Sequence, residues 1–321
     1  MTACLASSAL AFLMVTGVTV SAQDAPAQRP TFRAAVDLVS VAAVVRDKHG
    51  RFVRDLKKDD FIVEENGGRR ELIDFRTDDN APVRVALLFD VSGSMRVAAK
   101  IEDARRAARQ VLSALQLDAR DGADQVAVFS FDIGLQSLQP FTADPGAIEY
   151  ALSRVQPYGQ TSLYDAIAQT ARRVADVAPN DRRRRAVIVL TDGVDTSSEL
   201  TPDQVSAIAS AIDVPVYVLT VVSPLDHPGD AGAVGSAAGP GPESAISTLS
   251  RWTGGELFVT SAPAHESVAA RQIVDELRHQ YVLAFGASPA RGWHALSVRV
   301  KDRNLTVRAR SGYTAGAGIG S

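Results

Sequence analysis

The sequence predicts an α/β protein with a doubly wound, mainly parallel sheet, together with a small β-sandwich-like module formed by strands near its two ends. From residue 83 to residue 280, short apolar runs alternate with stretches in which apolar residues recur every three or four positions. That alternation is typical of strands connected by amphipathic helices. On either side of this region the sequence has Val-rich runs separated by turn residues, which indicates β structure.

Composition and charge exclude several classes of protein. The 321 residues include 34 Lys plus Arg and 37 Asp plus Glu, for a net charge of −3. Such a balance argues against a nucleic-acid binder with a broad basic face, so we expect no nucleic-acid partner. Cys4 is the only cysteine in the sequence, which rules out an intramolecular disulfide and a zinc site made of cysteines.

The first 33 residues predict an export signal followed by a tether. Residues 5–20 are apolar and uncharged, but the run is short for a membrane span. Val20-Ser21-Ala22 places small residues at −3 and −1 of a cleavage site after Ala22. The sequence departs from a usual signal because no Lys or Arg precedes the apolar run, and an uncleaved anchor is the alternative. We expect a signal peptide over 1–22, a linker over 23–33, a secreted or periplasmic protein, and no transmembrane span in the mature chain.

The two flanking β segments cover residues 34–81 and 281–315. In the first, Asn66-Gly67 separates two β-type runs, Phe61–Glu65 and Arg69–Phe75, and predicts a hairpin because Asn-Gly accepts the positive φ of a tight turn. Neither segment alone is long enough to bury a two-faced sheet. We therefore expect them to pair with each other, with the α/β domain inserted between them over residues 82–280.

Inside the α/β domain, the sequence predicts four strands, several helices and one long loop. The strands are expected at Val83–Asp90, Val126–Phe131, Ala186–Thr191 and Val214–Val222. The helices are expected from about Val97 to Leu115, over 163–177, from Thr201 onwards, over 243–252 and over 266–280, and the last two flank a short segment at Glu256–Thr260. Residues 223–242 are rich in Gly and Pro and predict a flexible surface loop.

Small oxygen-bearing side chains mark three loops at one predicted edge of the sheet. Asp90-Val-Ser92-Gly-Ser94 ends the first strand, Thr161 precedes a helix, and Asp192 follows the Ala186–Thr191 strand. In an open α/β sheet the loops at the carboxyl ends of the strands form the site. Carboxylates and hydroxyls are hard donors, which select Mg²⁺, Mn²⁺ or Ca²⁺ over zinc or copper.

The charges of this set point to an open coordination position. Two carboxylates would just neutralise a divalent ion, and hydroxyl ligands would add no charge. The ion would then remain a strong Lewis acid with room for one more oxygen, such as a carboxylate from another molecule. We also expect Gly93 to permit a tight turn between the serines, and Gly193 to permit a sharp exit from the strand.

In this set of residues the chain resembles the von Willebrand factor type A domain. Asp90-x-Ser92-x-Ser94, Thr161 and Asp192 match the metal-ion-dependent adhesion site (MIDAS) of that family residue by residue. The resemblance implies that the two serines and Thr161 coordinate Mg²⁺ or Mn²⁺ directly or conditionally. It implies that the two aspartates act largely through water or by conditional direct contact.

The flanking segments are similar to a narrower group, the VWFA-related family of exported bacterial proteins. The resemblance covers about residues 34–315 and rests on four short motifs. They are Leu56-x-x-x-Asp60-Phe61-x-Val63-x-Glu65, Thr253-Gly254-Gly255, Gln280-Tyr281-x-Leu283 and Val307-Arg308-x-Arg310-x-Gly312-Tyr313.

These observations predict a non-enzymatic, secreted binding or adhesion module with no catalytic residues. Its partner would be a protein ligand that donates an Asp or Glu carboxylate to the bound Mg²⁺ or Mn²⁺. Two alternatives stay open at this point. One is a Mg²⁺-dependent hydrolase that uses metal-activated water, and the other is a scaffold subunit of a larger complex, such as a partner of an ATPase.

Overall fold

The computed structural model describes residues 38–77, 81–118, 122–176, 181, 183–221, 244–260 and 262–315. The predicted signal peptide, linker and Gly/Pro-rich loop lie outside these residues.

The strands of the described part are β1 (Leu38–Arg46), β2 (Phe61–Glu65), β3 (Gly68–Arg70), β4 (Leu72–Thr77), β5 (Val83–Asp90), β6 (Gln125–Phe131), β7 (Leu135–Thr142), β8 (Arg184–Thr191), β9 (Val216–Val221), β10 (Leu257–Thr260), β11 (Tyr281–Gly286), β12 (Gly292–Val300), β13 (Thr306–Ala309) and β14 (Gly312–Ala315). The α-helices are α1 (Lys100–Ala114), α2 (Pro145–Ser153), α3 (Leu163–Ala175), α4 (Pro202–Ala211), α5 (Ala245–Trp252) and α6 (Pro263–Arg278). Short 3-10 helices cover Lys58–Asp60 and Gly93–Ala99.

The central sheet has six strands in the order β10-β9-β8-β5-β6-β7. All neighbouring pairs are parallel except β6 and β7, which are antiparallel. From β5 the chain first winds outward through β6 and β7, then returns to β8 and winds outward on the other side. This is the doubly wound, mainly parallel sheet that the sequence predicts.

Helices cover both faces of the central sheet. On β5, Val85 and Leu87 face the core formed with α1, α2 and α6, whereas Ala86 and Leu88 face the core formed with α3, α4 and α5. All four of these side chains are fully buried. Burial on both faces explains why the strand is a continuous apolar run and does not alternate.

The strands outside this domain form two antiparallel four-stranded sheets, ordered β13-β1-β11-β4 and β14-β12-β2-β3. β1 pairs with β11 from Leu38↔Gly286 to Ala43↔Tyr281, and β2 pairs with β12. Each sheet therefore combines strands from before and after the α/β domain. Their inner faces share one core that includes Val41, Val63, Leu283 and Phe285. With the central sheet, this β-sandwich confirms the predicted fold class.

Several elements differ from the sequence prediction. The Arg69–Phe75 run is divided at Glu71 into β3 and β4, which lie in different sheets. α1 begins at Lys100 and not at Val97, because Ala98 and Ala99 are left-handed with φ of 53° and 60°. The elements β7, α2 and β14 were not predicted. β7 is an edge strand with partly exposed side chains, so it lacks the apolar run that marks the central strands.

Among the residues that the structure describes, no helix combines the length and the apolar character needed to cross a membrane.

Candidate functional site

The candidate site lies at the carboxyl ends of β5 and β8, which are parallel neighbours in the central sheet. The chain leaves these two strands toward opposite sides of the sheet, so a crevice forms between their loops. Pairing of Phe89 with Leu190 brings Asp90 next to Thr191, and Asp192 follows directly. The carboxylates of Asp90 and Asp192, which are 102 residues apart in the sequence, thus lie at the same edge of the sheet.

Asp90 is the last residue of β5 and is fully buried. Its Oδ1 accepts a hydrogen bond from the backbone N–H of Ser92 at 2.8 Å, and its Oδ2 accepts one from the hydroxyl of Thr191 at 2.6 Å. Burial raises the pKa of Asp90 to about 6. The negative charge of Asp192 acts in the same direction, whereas the hydrogen bonds from Thr191 and Ser92 oppose the rise. A cation at this point would favour the ionised carboxylate.

Ser92 and Ser94 lie where the chain turns from β5 into the 3-10 helix. Ser92 is buried, and its Oγ lies 2.9 Å from the Oγ of Ser94. The N–H of Gly93 donates to the carbonyl of Gly159 at 3.0 Å. The backbone at Gly93 is not left-handed, and an added Cβ would lie an ordinary 3.6 Å from that carbonyl oxygen. Gly93 thus permits the turn between the serines, but neither its φ nor the space around it requires a glycine there.

The loop that carries Thr161 is hydrogen-bonded to its neighbours on both sides. On one side Gly159 accepts from Gly93, and on the other the N–H of Thr161 donates to the Oγ1 of Thr196 at 3.1 Å. The carbonyl of Thr161 accepts from the N–H groups of Thr196 and Ser197, both at 3.0 Å. Thr161 itself is buried. These contacts hold the loop between the two that carry the carboxylates.

Asp192 presents a buried oxygen without a partner. Its Oδ1 makes no hydrogen bond within the described part of the chain, and its Oδ2 lies 3.4 Å from the Nζ of Lys100. A buried, unpartnered carboxylate oxygen is destabilising unless a cation or a donor approaches it. Gly193 has φ of 87° and supplies the sharp exit from β8 that the sequence predicts.

Two further aspartates near the site have positioning roles. Asp195 accepts from the N–H of Leu163 at 2.8 Å and from the hydroxyl of Ser198 at 2.6 Å. Asp165, in the first turn of α3, accepts from the N–H groups of Glu199 and Leu200. They tie the loop after β8 to the start of α3, and so fix the position of Asp192 indirectly.

The structure brings the predicted residues together through their loops. Asp90, Ser92 and Ser94 form a continuous polar cluster, Asp192 adjoins it through Thr191, and the Thr161 loop is bonded on both sides. Two carboxylates, one of which has an unpartnered oxygen, and several hydroxyls fit a hard divalent cation such as Mg²⁺ or Mn²⁺. Among the described residues, no group of three or more His, Cys, Asp or Glu side chains is arranged to hold a metal, so hydroxyls would have to complete the set.

Sequence reasoning missed two residues of this site, Thr191 and Lys100. Thr191 lies inside the Thr191-Asp192-Gly193 run, but its side chain points from β8 to Asp90, and nothing in the sequence identifies that acceptor. Lys100 lies at the start of a helix and appears in the sequence as one charge among many.

The comparison with family models gives one match. Residues 85–194 match the model of the von Willebrand factor type A domain. All five predicted site residues lie inside that range. A comparison with curated proteins gives no match.

Several solved structures are similar to the chain at low sequence identity. A von Willebrand factor type A protein from Catenulispora acidiphila is 14% identical, with a TM-score of 0.48 over 89% of this chain and 76% of that one. BatB from Bacteroides thetaiotaomicron is 20% identical, with a TM-score of 0.45 over 60% and 98%. Proximal thread matrix protein 1 from the mussel byssus, solved with a zinc-occupied MIDAS motif, is 17% identical, with a TM-score of 0.46 over 66% and 49%.

Proposed function

Because the chain carries a von Willebrand factor type A domain, which is a protein-interaction or adhesion module, we propose that it binds a protein ligand through a Mg²⁺ or Mn²⁺ ion. The ion would be held by Asp90, Ser92, Ser94, Thr161 and Asp192. The ligand would contribute an Asp or Glu carboxylate. The proposal includes no catalytic residue.

One observation supports the metal most directly, namely the unpartnered Oδ1 of Asp192 beside a second buried carboxylate. Two ionised carboxylates in a poorly hydrated place repel each other, and a divalent cation between them would remove that cost. The hydrogen bonds of Asp90 to Thr191 and Ser92 hold one carboxylate in a fixed orientation. This fixed orientation of Asp90 supports the proposal, because a ligand that is already held in place binds a cation at a lower cost.

The remaining part of the proposal concerns the ligand and the location. With two carboxylates and neutral hydroxyls around it, the ion would keep Lewis acidity and accept an anionic oxygen from outside. We propose that the protein acts outside the cytoplasm, as the apolar run over residues 5–20 indicates. The protein ligand would then be met in the periplasm, at the cell surface or in the medium.

Calorimetric titration with Mg²⁺ and with Mn²⁺ tests the site. We expect Asp90→Ala and Asp192→Ala each to abolish binding, because each removes a charged donor that hydroxyls cannot replace. Asp203→Ala, which removes an exposed aspartate in the first turn of α4, is the matched control and should bind like the wild type. Circular dichroism of all four proteins checks the fold. Equal metal affinity in the wild type and both site variants would contradict the proposal.

A cross-linking pull-down tests the ligand. The wild type with Mg²⁺ should capture a partner that is lost on addition of EDTA and is not captured by Asp192→Ala. Capture that is equally strong in EDTA would show that any partner binds elsewhere on the molecule.

A further inference from the structure

Lys100 occupies an unfavourable place for a cation. It is the first residue of α1, where the positive end of the helix dipole repels a positive charge. Its side chain is only 11% exposed, and burying an ammonium group requires compensation from an opposite charge. The position of Lys100 therefore needs an explanation other than the stability of α1.

The backbone before Lys100 is also strained. Ala98 and Ala99 both have left-handed φ, 53° and 60°, a conformation that residues with a Cβ seldom adopt. These two residues form the kink between the 3-10 helix and α1. Strain of this kind persists where the surrounding structure requires a particular placement. Here it sets the point at which α1 starts, and with it the position of Lys100 at the site.

One charge that compensates Lys100 lies at the candidate metal site. The Nζ of Lys100 is 3.4 Å from the Oδ2 of Asp192, whose side chain is only 6% exposed. The ammonium group of Lys100 and a divalent cation at the site would therefore compete for the same carboxylate, that of Asp192. With Lys100 present, the charge of the two aspartates and the lysine is −1; without it, the charge is −2.

We propose that Lys100 is a built-in competitor of the divalent cation. Its ammonium group balances Asp192 when no metal is bound, and it repels the metal when metal binds. This inference rests on the proposed function, because it concerns affinity at the same site. Its consequence is a site of moderated metal affinity, at which bound metal depends on the surrounding concentration of the ion.

Replacement of the lysine tests the inference. Lys100→Met keeps much of the side-chain volume and removes the charge, so Mg²⁺ should bind at least about tenfold more tightly, because repulsion between close charges in a poorly hydrated place is large. Lys100→Arg keeps the charge and should stay near the wild-type affinity. Lys48→Met removes an exposed lysine and is the matched control. Calorimetric titration of the full chain with Mg²⁺ measures all four affinities.

Thermal unfolding gives a second readout that does not depend on calorimetry. Without metal, Lys100→Met should unfold at a lower temperature than the wild type, because the two carboxylates lose their counter-charge. With saturating Mg²⁺ its melting temperature should rise by more than that of the wild type. Lys100→Gln serves in the same way if the Met variant does not fold.

The outcomes separate this inference from the proposed function. If the wild type binds Mg²⁺ and Lys100→Met binds with equal or lower affinity, the competitor role is overturned while the metal site stands. If neither protein binds Mg²⁺ or Mn²⁺, both proposals are overturned. If Lys48→Met binds Mg²⁺ more tightly by the same factor as Lys100→Met, the gain in affinity reflects net charge alone. That result would also overturn the role of Lys100.

Discussion

Tyr313 belongs to a buried polar cluster inside the β-sandwich. Its hydroxyl donates to the Oε1 of Glu65 at 2.6 Å, and the same oxygen lies 2.7 Å from the Nδ1 of His294. The rings of His294 and Tyr313 are stacked with centroids 5.0 Å apart. Arg70 forms an ion pair with Glu65 as well. The carboxylate thus has partners on several sides, which is the condition under which a buried charge is tolerated.

The Tyr313 hydroxyl should make stability fall at alkaline pH. Burial, followed by the hydrogen bond to Glu65, raises the pKa of Tyr313 to about 12, whereas a tyrosine in the unfolded chain ionises near pH 10. Above about pH 10 the unfolded chain loses this proton first, so stability is lost as the pH rises from 10 toward 12. Chemical denaturation of the wild type and Tyr313→Phe across this range measures the difference. The variant should lose less stability over the same interval, and parallel pH profiles would contradict the assignment.

The sequence predicts the residues of the candidate site better than it predicts this buried cluster. Asp90, Ser92 and Ser94 are close in sequence and form a short motif whose spacing indicates its chemistry. His294 lacks such a motif, because its partner Glu65 lies in another segment and the two meet only when β2 pairs with β12. The five histidines show no metal-ligand spacing, and this predicts a surface or loop position for each of them. For His294 the prediction is wrong, since this residue is only 2% exposed.

The connection between α5 and β10 contains two adjacent glycines that pack closely against neighbouring backbone. Gly254 has φ of 88°, and an added Cβ would lie 3.1 Å from the backbone N of Arg310. Gly255 is packed against β9, and an added Cβ would lie 2.0 Å from the carbonyl oxygen of Val216. The Thr253 hydroxyl completes the contact by accepting from the N–H of Val216 at 3.0 Å. Thr253-Gly254-Gly255 therefore packs the end of α5 against the backbone of β9 and against the backbone at Arg310.

Gly255→Ala should destabilise the protein strongly. The new methyl group meets backbone atoms that cannot move without disturbing β9, so we expect a loss of more than about 3 kcal/mol in the free energy of unfolding. Gly134→Ala is the matched control, because a Cβ there has nothing within 4 Å. It should leave stability unchanged to within about 0.5 kcal/mol. Urea denaturation compares the two variants, and equal stability would show that the Gly255 contact relaxes easily.

Predicting the elements from sequence succeeded where burial was two-sided. The strands β5, β6, β8 and β9 are buried on both faces, so their apolar runs give their positions to within about two residues. The run of four arginines at 182–185 predicts a solvated connection before a strand. Instead, Arg184 and Arg185 begin β8, and Arg183 forms an ion pair with Asp181. The sequence could not indicate this, since the pairing depends on where the connection before β8 folds back.

An ion-pair network centred on the buried Glu276 joins the α/β domain to the β-sandwich. Glu276 of α6 has a fully buried side chain and pairs with Arg46 of β1 and Arg308 of β13. Arg308 also pairs with Glu256. Burial raises the pKa of Glu276, although the positive charge of Arg308 opposes the rise. Because its members come from both ends of the chain and from α6, no local pattern in the sequence could predict the network.

Glu276→Gln tests how strongly this network couples the two parts. The substitution keeps the shape of the side chain but leaves two arginines near a neutral group, so the free energy of unfolding should fall by about 3 kcal/mol or more. Glu149→Gln removes a carboxylate that pairs with Arg109 where both side chains are about half exposed, and that change should cost at most about 1 kcal/mol.

Unfolding followed by tryptophan fluorescence reports on the α/β domain through Trp252 of α5 and on the sandwich through Trp293 of β12. Replacing either tryptophan by Phe isolates the signal of the other. If the network couples the two parts, both signals should shift together in Glu276→Gln; a shift in one signal alone would mean that Glu276 stabilises its own helix and does not join the modules.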